Sequence, residues 1–245
     1  MTHSIRYFLL ISFFLSLNAC NSQKEVINIA VASNFEKTLE VIIKHFKQKH
    51  PDSNVNIISG ASGVLTNQIL NNAPFDLFLS ADIKKPQIIF NKTPSLTKPV
   101  VYAVGQLALW IPESKERNRC INVLSKVETL VIANSKTAPY GAVSEKILTN
   151  HVIKIEKTIH AANIAQSFLY TKNKFAEAGF VAYSMLKGND EGCQQIFQHR
   201  ELSQSMILLT DKAKGIYDFI LSGEIQKLIE ESGYNTVNLE RSVAK

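Results

Sequence analysis

Four places in this sequence set a small polar residue, or an unhindered stretch of main chain, at the start of a helical pattern. Ser33-Asn34 follows the apolar run 26–32 (VINIAVA), and Ser62-Gly63 ends the turn 60–63 (GASG) after 55–59 (VNIIS). Tyr140-Gly141 stands behind Pro139, downstream of 129–133 (TLVIA), and Asn163-Ile164 opens a further helical pattern. None of these residues is charged. They offer hydrogen-bond donors: hydroxyls, a carboxamide, and the N–H groups that a helix's first turn leaves without partners. A helix start also carries about half a positive charge and so favours an anion. Each junction alone is also what a cap or a turn looks like. Four of them, two in each half of the chain, point to one anion held by donors from both halves.

Other chemistries find little support. The six histidines form no HExxH-like pair, and Cys120 and Cys193 are too far from other thiols for a zinc knuckle. GASG is not the GxSxG of a nucleophile elbow, and neither a P-loop nor a GxGxxG fingerprint occurs. The lysines of 44–49 fall on a helical face without interleaved aromatics, so nucleic acid is not an expected partner. Asp76 and Asp82 flank the end of an apolar run, where capping and turn roles suffice. No acid–base pair stands out, and a non-enzymatic protein is expected. The competing reading of another class, a secreted serine-dependent hydrolase, would need a base beside Ser33.

The elements that must position these junctions alternate. Runs 26–32, 55–59 and 75–80 read as strands, near-continuously apolar as in a parallel sheet. Between them, Phe35, Leu39, Ile42, Ile43 and Phe46 recur at helical spacing until His50-Pro51, and 64–71 forms a short helix. A second series has strands at 129–133, 154–158 and 179–184, with helices at 141–150 and 163–171. A strand at 206–210 and helices at 214–221 and 224–231 follow, the last closed by Gly233. The long apolar run 100–111, interrupted by Gly105, links the two series. The fold class is therefore α/β: two doubly wound domains joined by two crossover hinge strands, near Gly105 and 203–205, with the ligand in the interdomain cleft. In such sheets ligands sit at the carboxyl ends of the strands, where all four junctions lie.

The chain's 245 residues, 45% of them hydrophobic, exclude a disordered chain. Residues 1–19 read as a removable signal: Arg6, an apolar run over 7–17, and small residues at the exit. That run is short of the ~20 residues needed to span a bilayer. Leu17-Asn18-Ala19-Cys20 resembles a bacterial lipobox, in which Cys20 would be lipidated; ordinary cleavage nearby is the alternative. Secretion permits disulfides, so Cys120 and Cys193 have two open readings, a bridge or two buried free thiols. A formal net charge of +6 suits an anionic partner without naming it.

At these junctions the chain resembles the periplasmic molybdate-binding proteins of ABC transporters, a branch of the type II periplasmic binding proteins. The matching pieces are AVASNF (30–35), GASGVLTNQIL (60–70), APFDLFLSAD (73–82), IANSKTAPYGAVSEKIL (132–148), NIAQSF (163–168), AGFVAYS (178–184) and Gly233-Tyr234. The resemblance implies contacts to a molybdate or tungstate oxyanion from Ser33, Asn34, Ser62, Tyr140 and Ile164, with no cofactor. Some members add a tyrosine where this chain has Ala182. Tyr183, next along a strand, would face the other way. The implied arrangement is domain I over 25–103 plus 207–245 and domain II over 104–206. The implied setting is a monomer in the periplasm, held to the membrane only through a lipid anchor, that delivers its ligand to an inner-membrane permease and ATPase. The same scaffold binding sulfate or another tetrahedral oxyanion is the near alternative.

Overall fold

A computed structural model describes residues 25–92, 97–117 and 119–235. The signal segment and Cys20 lie outside them. Eight strands form one mixed sheet in the order β2-β1-β3-β8-β4-β7-β5-β6. They are β1 (Val26–Ala32), β2 (Asn54–Gly60), β3 (Leu77–Leu79), β4 (Val100–Ile111), β5 (Thr129–Ala133), β6 (Lys157–Ala161), β7 (Ala178–Ala182) and β8 (Cys193–Leu208). β1 pairs in parallel with β2 and β3, and β5 with β6 and β7, whereas β8 and β4 run antiparallel to their neighbours.

Among the described residues, helices α1 (Glu36–Lys49), α2 (Ser62–Leu70), α3 (Lys84–Lys92), α4 (Cys120–Val123), α5 (Pro139–Asn150), α6 (Ile164–Lys172), α7 (Tyr183–Leu186), α8 (Lys214–Ile220) and α9 (Gly223–Glu231) cover the sheet. α1 shows why such a segment is helical. Leu39, Ile42, Ile43 and Phe46 fall on one face and are buried, at about 1.5–3 kcal/mol for each side chain. Glu36 opens the helix and Lys47 and Lys49 close it, in line with its dipole. It stops before Pro51, whose ring disfavours a helical His50.

Among the described residues, the two largest buried cores flank the middle of the sheet. One joins Ile29, Phe35, Leu77, Tyr102, Met206 and Ile225; the other joins Leu107, Leu130, Val143, Phe180 and Leu202. They meet where β4 and β8 change register, between Val101 and Ala103 and again between Val104 and Gln106. There β8 accompanies the run 100–111, and pairing continues on both sides of the change.

Several sequence expectations need correction. β8 begins at Cys193, not at Met206. Its first half (CQQIFQHRE) is polar and largely half-exposed, so it lacks an apolar signature; the buried strand β4 beside it supplies the pairing. β6 starts at Lys157, three residues late, because register with β5 selects it. α3 was not expected from KKPQIIFNK, whose first turn holds a proline. The Asp82 carboxylate caps it by accepting the Lys85 N–H at 3.0 Å. β7 ends at Ala182, and Tyr183 opens α7 rather than continuing the strand. Cys120 on α4 and Cys193 at the start of β8 stand with sulfurs 2.09 Å apart, at bonding distance. Among the described residues no helix is long and apolar enough to cross a membrane.

Candidate functional site

Ser33, Asn34, Ser62, Tyr140 and Ile164 line one tight cavity of about 10 Å3, together with Ala81 and the turn residues around them. Every lining residue is uncharged. Ser33 and Asn34 follow the end of β1, Ser62 is the first residue of α2, Tyr140 is second in α5 behind Pro139, and Ile164 is first in α6. The sheet places them together because β1 and β5, the central strands of the two parallel units, end toward the same crossing.

The local geometry divides their donors. Ser33 N–H is spent on Gly60 O at 3.0 Å, and its hydroxyl oxygen accepts from Ala165 N–H on α6 at 3.5 Å. Neither Ser33 nor Asn34 caps α1, against the simplest reading of that junction: Phe35 holds the cap position, without a side-chain bond. Asn163 does cap, its carboxamide oxygen accepting Gln166 N–H at 3.0 Å. Ser62 Oγ accepts Ala81 N–H at 3.0 Å, which leaves its proton available to a ligand. The amides of Ser62, Tyr140 and Ile164 fall in first turns, beyond reach of any helical carbonyl. Gly63 N–H donates to Thr137 O at 2.9 Å, and a side chain at Gly63 would meet that same oxygen. This close approach seals α2 against the loop before α5.

The Tyr140 side chain is buried, not a surface aromatic, and its ring leads away from the cavity toward Gly105. A Cβ at Gly105 would lie 2.1 Å from the Tyr140 hydroxyl. Around that hydroxyl runs a buried polar chain that sequence reasoning missed. Gln204 Nε2 stands 3.2 Å from Tyr140 OH; Gln204 Oε1 stands 2.9 Å from Tyr102 OH and 3.1 Å from Asn34 Nδ2. Tyr234 OH donates to Asn34 O at 2.6 Å. The only hint in the sequence was Gln204 between two serines at the expected crossing. Ala182 and Tyr183 do not line the cavity.

Burial, more than the neighbouring phenols, holds the Tyr102 and Tyr140 hydroxyls well above the ordinary tyrosine range, and Tyr234 is pushed up to about 12. All three stay neutral at physiological pH. A raised folded-state value means that the folded form holds the proton more tightly. The stability this contributes is complete below pH ~10, where the unfolded chain's tyrosines ionise. It is lost as pH rises to about 12, at about 2–3 kcal/mol for Tyr234. Thermal melts should therefore be flat up to about pH 9 and fall steeply by about pH 11. A variant with Tyr140→Phe and Tyr234→Phe should lose much of that alkaline drop; an unchanged drop would place its origin elsewhere.

Among the described residues no cluster of three or more histidine, cysteine or acidic side chains is set to hold a metal ion. Asp76 and Asp82 are structural: Asp76 accepts Asn28 N–H and the Thr210 hydroxyl, and Asp82 pairs with Lys85 at 2.7 Å.

The family model for the bacterial extracellular solute-binding proteins matches residues 27–235. The chain belongs to that family. A solute-binding protein of this kind works outside the cytoplasm and is not an enzyme. Its relatives include the molybdate-binding protein ModA of Azotobacter vinelandii, 29% identical over 92% of this chain and 96% of that protein. The ModA of Rhodobacter capsulatus is 29% identical over 84% and 87%. Among solved structures, the Azotobacter vinelandii periplasmic molybdate-binding protein superposes with a TM-score of 0.79 at 25% identity, over 86% of this chain and all of that one. The sulfate-binding protein SubI of Mycobacterium tuberculosis shares the fold at 12% identity, with a TM-score of 0.65 over 89% of each chain.

Proposed function

We propose that this solute-binding protein captures a tetrahedral oxyanion, molybdate and with it tungstate, and delivers it to an ABC importer. The observation that carries the reading is the cavity: uncharged throughout, bounded by three helix starts and the turn after β1, and lined from both parallel units of the sheet. Support for molybdate in particular comes from the two ModA relatives, aligned over most of each chain. Ser33, Asn34, Ser62, Tyr140 and Ile164 would make the contacts.

A fixed shell of neutral donors selects differently from an arginine fork. It stabilises the dianion through oriented N–H and O–H dipoles and offers no acceptor to a protonated oxygen. Hydrogen phosphate would set a donor against a donor, and an unpaired buried polar group costs about 1–3 kcal/mol. Sulfate is smaller and would leave the shell slack. The lobes would be 25–103 plus 207–245 and 104–206, closing about Gly105 and residues 203–205. The closed, monomeric form would be read by an inner-membrane permease and its ATPase. Lipidated Cys20 would be the anchor.

Thermal shift with molybdate, tungstate, sulfate and phosphate tests this. Ligand at about a thousandfold over Kd adds about 4 kcal/mol, or about 10 °C for a chain of this size. Molybdate and tungstate should give that rise and phosphate none. A rise with sulfate alone would reassign the ligand, and no rise with any of the four would sink the oxyanion reading.

A further inference from the structure

Asn34 Oδ1 is the one buried side-chain polar atom among the described residues that has no hydrogen-bond partner. It belongs to a residue 3% exposed that lines the cavity. Both contacts of that carboxamide are made by its other arm: Nδ2 lies 3.1 Å from Gln204 Oε1 and 3.3 Å from Tyr234 OH. Two difficulties follow from this arrangement. A buried oxygen without a donor is costly and, on a residue that lines the cavity, would repel an anion bound there; the Tyr140 hydroxyl, accepting from Gln204 Nε2 at 3.2 Å, has no acceptor for its own proton.

Turning both carboxamides by half a turn exchanges nitrogen and oxygen while leaving every heavy-atom position unchanged. Tyr140 OH then donates to Gln204 Oε1 at 3.2 Å. Gln204 Nε2 donates one proton to Asn34 Oδ1 at 3.1 Å and the other to Tyr102 OH at 2.9 Å. Tyr102 OH passes its proton to Ser80 O at 3.2 Å, and Tyr234 OH keeps its bond to the main-chain oxygen of Asn34 at 2.6 Å. Only the 3.3 Å contact between Tyr234 OH and the Asn34 side chain loses its proton. The place of the unpartnered oxygen is now taken by Asn34 Nδ2, with both of its N–H groups.

We propose that Gln204 is a positioning residue: its carboxamide holds that of Asn34 nitrogen-outward, toward the cavity, and takes the Tyr140 hydroxyl proton. Gln204 is fully buried on β8. It links Asn34, at the end of β1, to Tyr140, on α5, at the strand crossing. Its glutamine geometry supplies one acceptor for the tyrosine and two donors for the other partners. Gly105 makes room for the meeting, since a Cβ there would lie 2.5 Å from Gln204 Nε2 and 2.1 Å from Tyr140 OH. The donor set and the crossing are thereby joined by one chain of hydrogen bonds. This inference rests on the oxyanion reading for its consequence, but not for its geometry.

Two measurements on the full mature protein test it separately. In the ligand-free protein, nuclear Overhauser contacts of the Gln204 side-chain amide protons should reach the Tyr102 ring and Asn34. Contacts to the Tyr140 ring in their place would overturn the assignment, whatever the ligand. Calorimetry with molybdate then reads the consequence. Gln204→Met should weaken binding about tenfold, the loss typical when a buried hydrogen-bond partner is removed. In an Asn34→Ala background the same change should cost less than about twofold, because Gln204 acts through Asn34. Equal losses in both backgrounds would mean a merely structural role and would overturn the proposal. Failure of the wild type to bind any oxyanion would defeat the functional reading, while the amide contacts would still decide the geometry.

Discussion

Replacing Ser62 with leucine is expected to abolish molybdate binding, a loss of about a hundredfold or more in affinity, equivalent to about 3 kcal/mol. Ser62 is 1% exposed and opens α2 on the cavity wall. Leucine replaces a hydroxyl with a branched apolar group in the tight space that a tetrahedral ligand must share with its donors. It also leaves Ala81 N–H, now 3.0 Å from Ser62 Oγ, without an acceptor. Ser62→Ala separates these effects. It keeps the space and removes only the hydroxyl, so it should cost about tenfold. Calorimetry gives both numbers, and circular dichroism with a thermal melt checks that each variant is folded. A leucine variant that binds as tightly as the wild type would mean that the anion sits elsewhere.

The second large effect concerns stability. Cys120 and Cys193 are separated by 73 residues, and their Cα atoms stand 5.6 Å apart. Closing a loop of that length removes enough unfolded-state entropy to contribute about 4 kcal/mol on a chain-entropy model. The double change Cys120→Ser, Cys193→Ser should therefore lower Tm by about 10 °C. Oxyanion affinity should stay within about twofold, because neither cysteine lines the cavity. Intact mass after alkylation without reduction checks the premise: a protein that takes up label at both positions has no bridge. The pair closes α4 onto the start of β8, the polar stretch with the weakest strand signature, so a bridge there would secure the segment least able to hold itself.

How far each element could be read depended on whether its signal was local. β1 was legible because VINIAVA is apolar on both faces, as a strand covered by helices must be. α1 and α9 announced themselves by apolar residues at helical spacing. The first half of β8 was illegible because its pairing, not its composition, makes it a strand: Gln194 through Gln198 lie against β4. α3 depends likewise on Asp82, a cap that reads from sequence only as a turn residue. Tyr183 shows the limit at a boundary, since AGFVAYS continues to look like a strand for two residues after the chain has become helical.

The same division holds for the site. From sequence alone came the four junctions, the absence of any charged or nucleophilic constellation, and the alternation that sets each junction at the end of a strand. These follow from short-range rules: which residues begin helices, which runs are buried, and which amides a first turn leaves free. Tertiary structure alone decided that Ser33, Asn34, Ser62, Tyr140 and Ile164 meet in one cavity, which of their donors are already spent, and that Tyr140 turns its ring toward Gly105. It alone joined Asn34, Gln204 and three buried tyrosines in one hydrogen-bonded chain. Asn34 and Gln204 are 170 residues apart, and no local pattern records a hydrogen bond between them. Such a bond exists only because antiparallel β4 and β8 carry the chain back past the end of β1, where burial makes each unpaired polar atom costly enough to demand a partner.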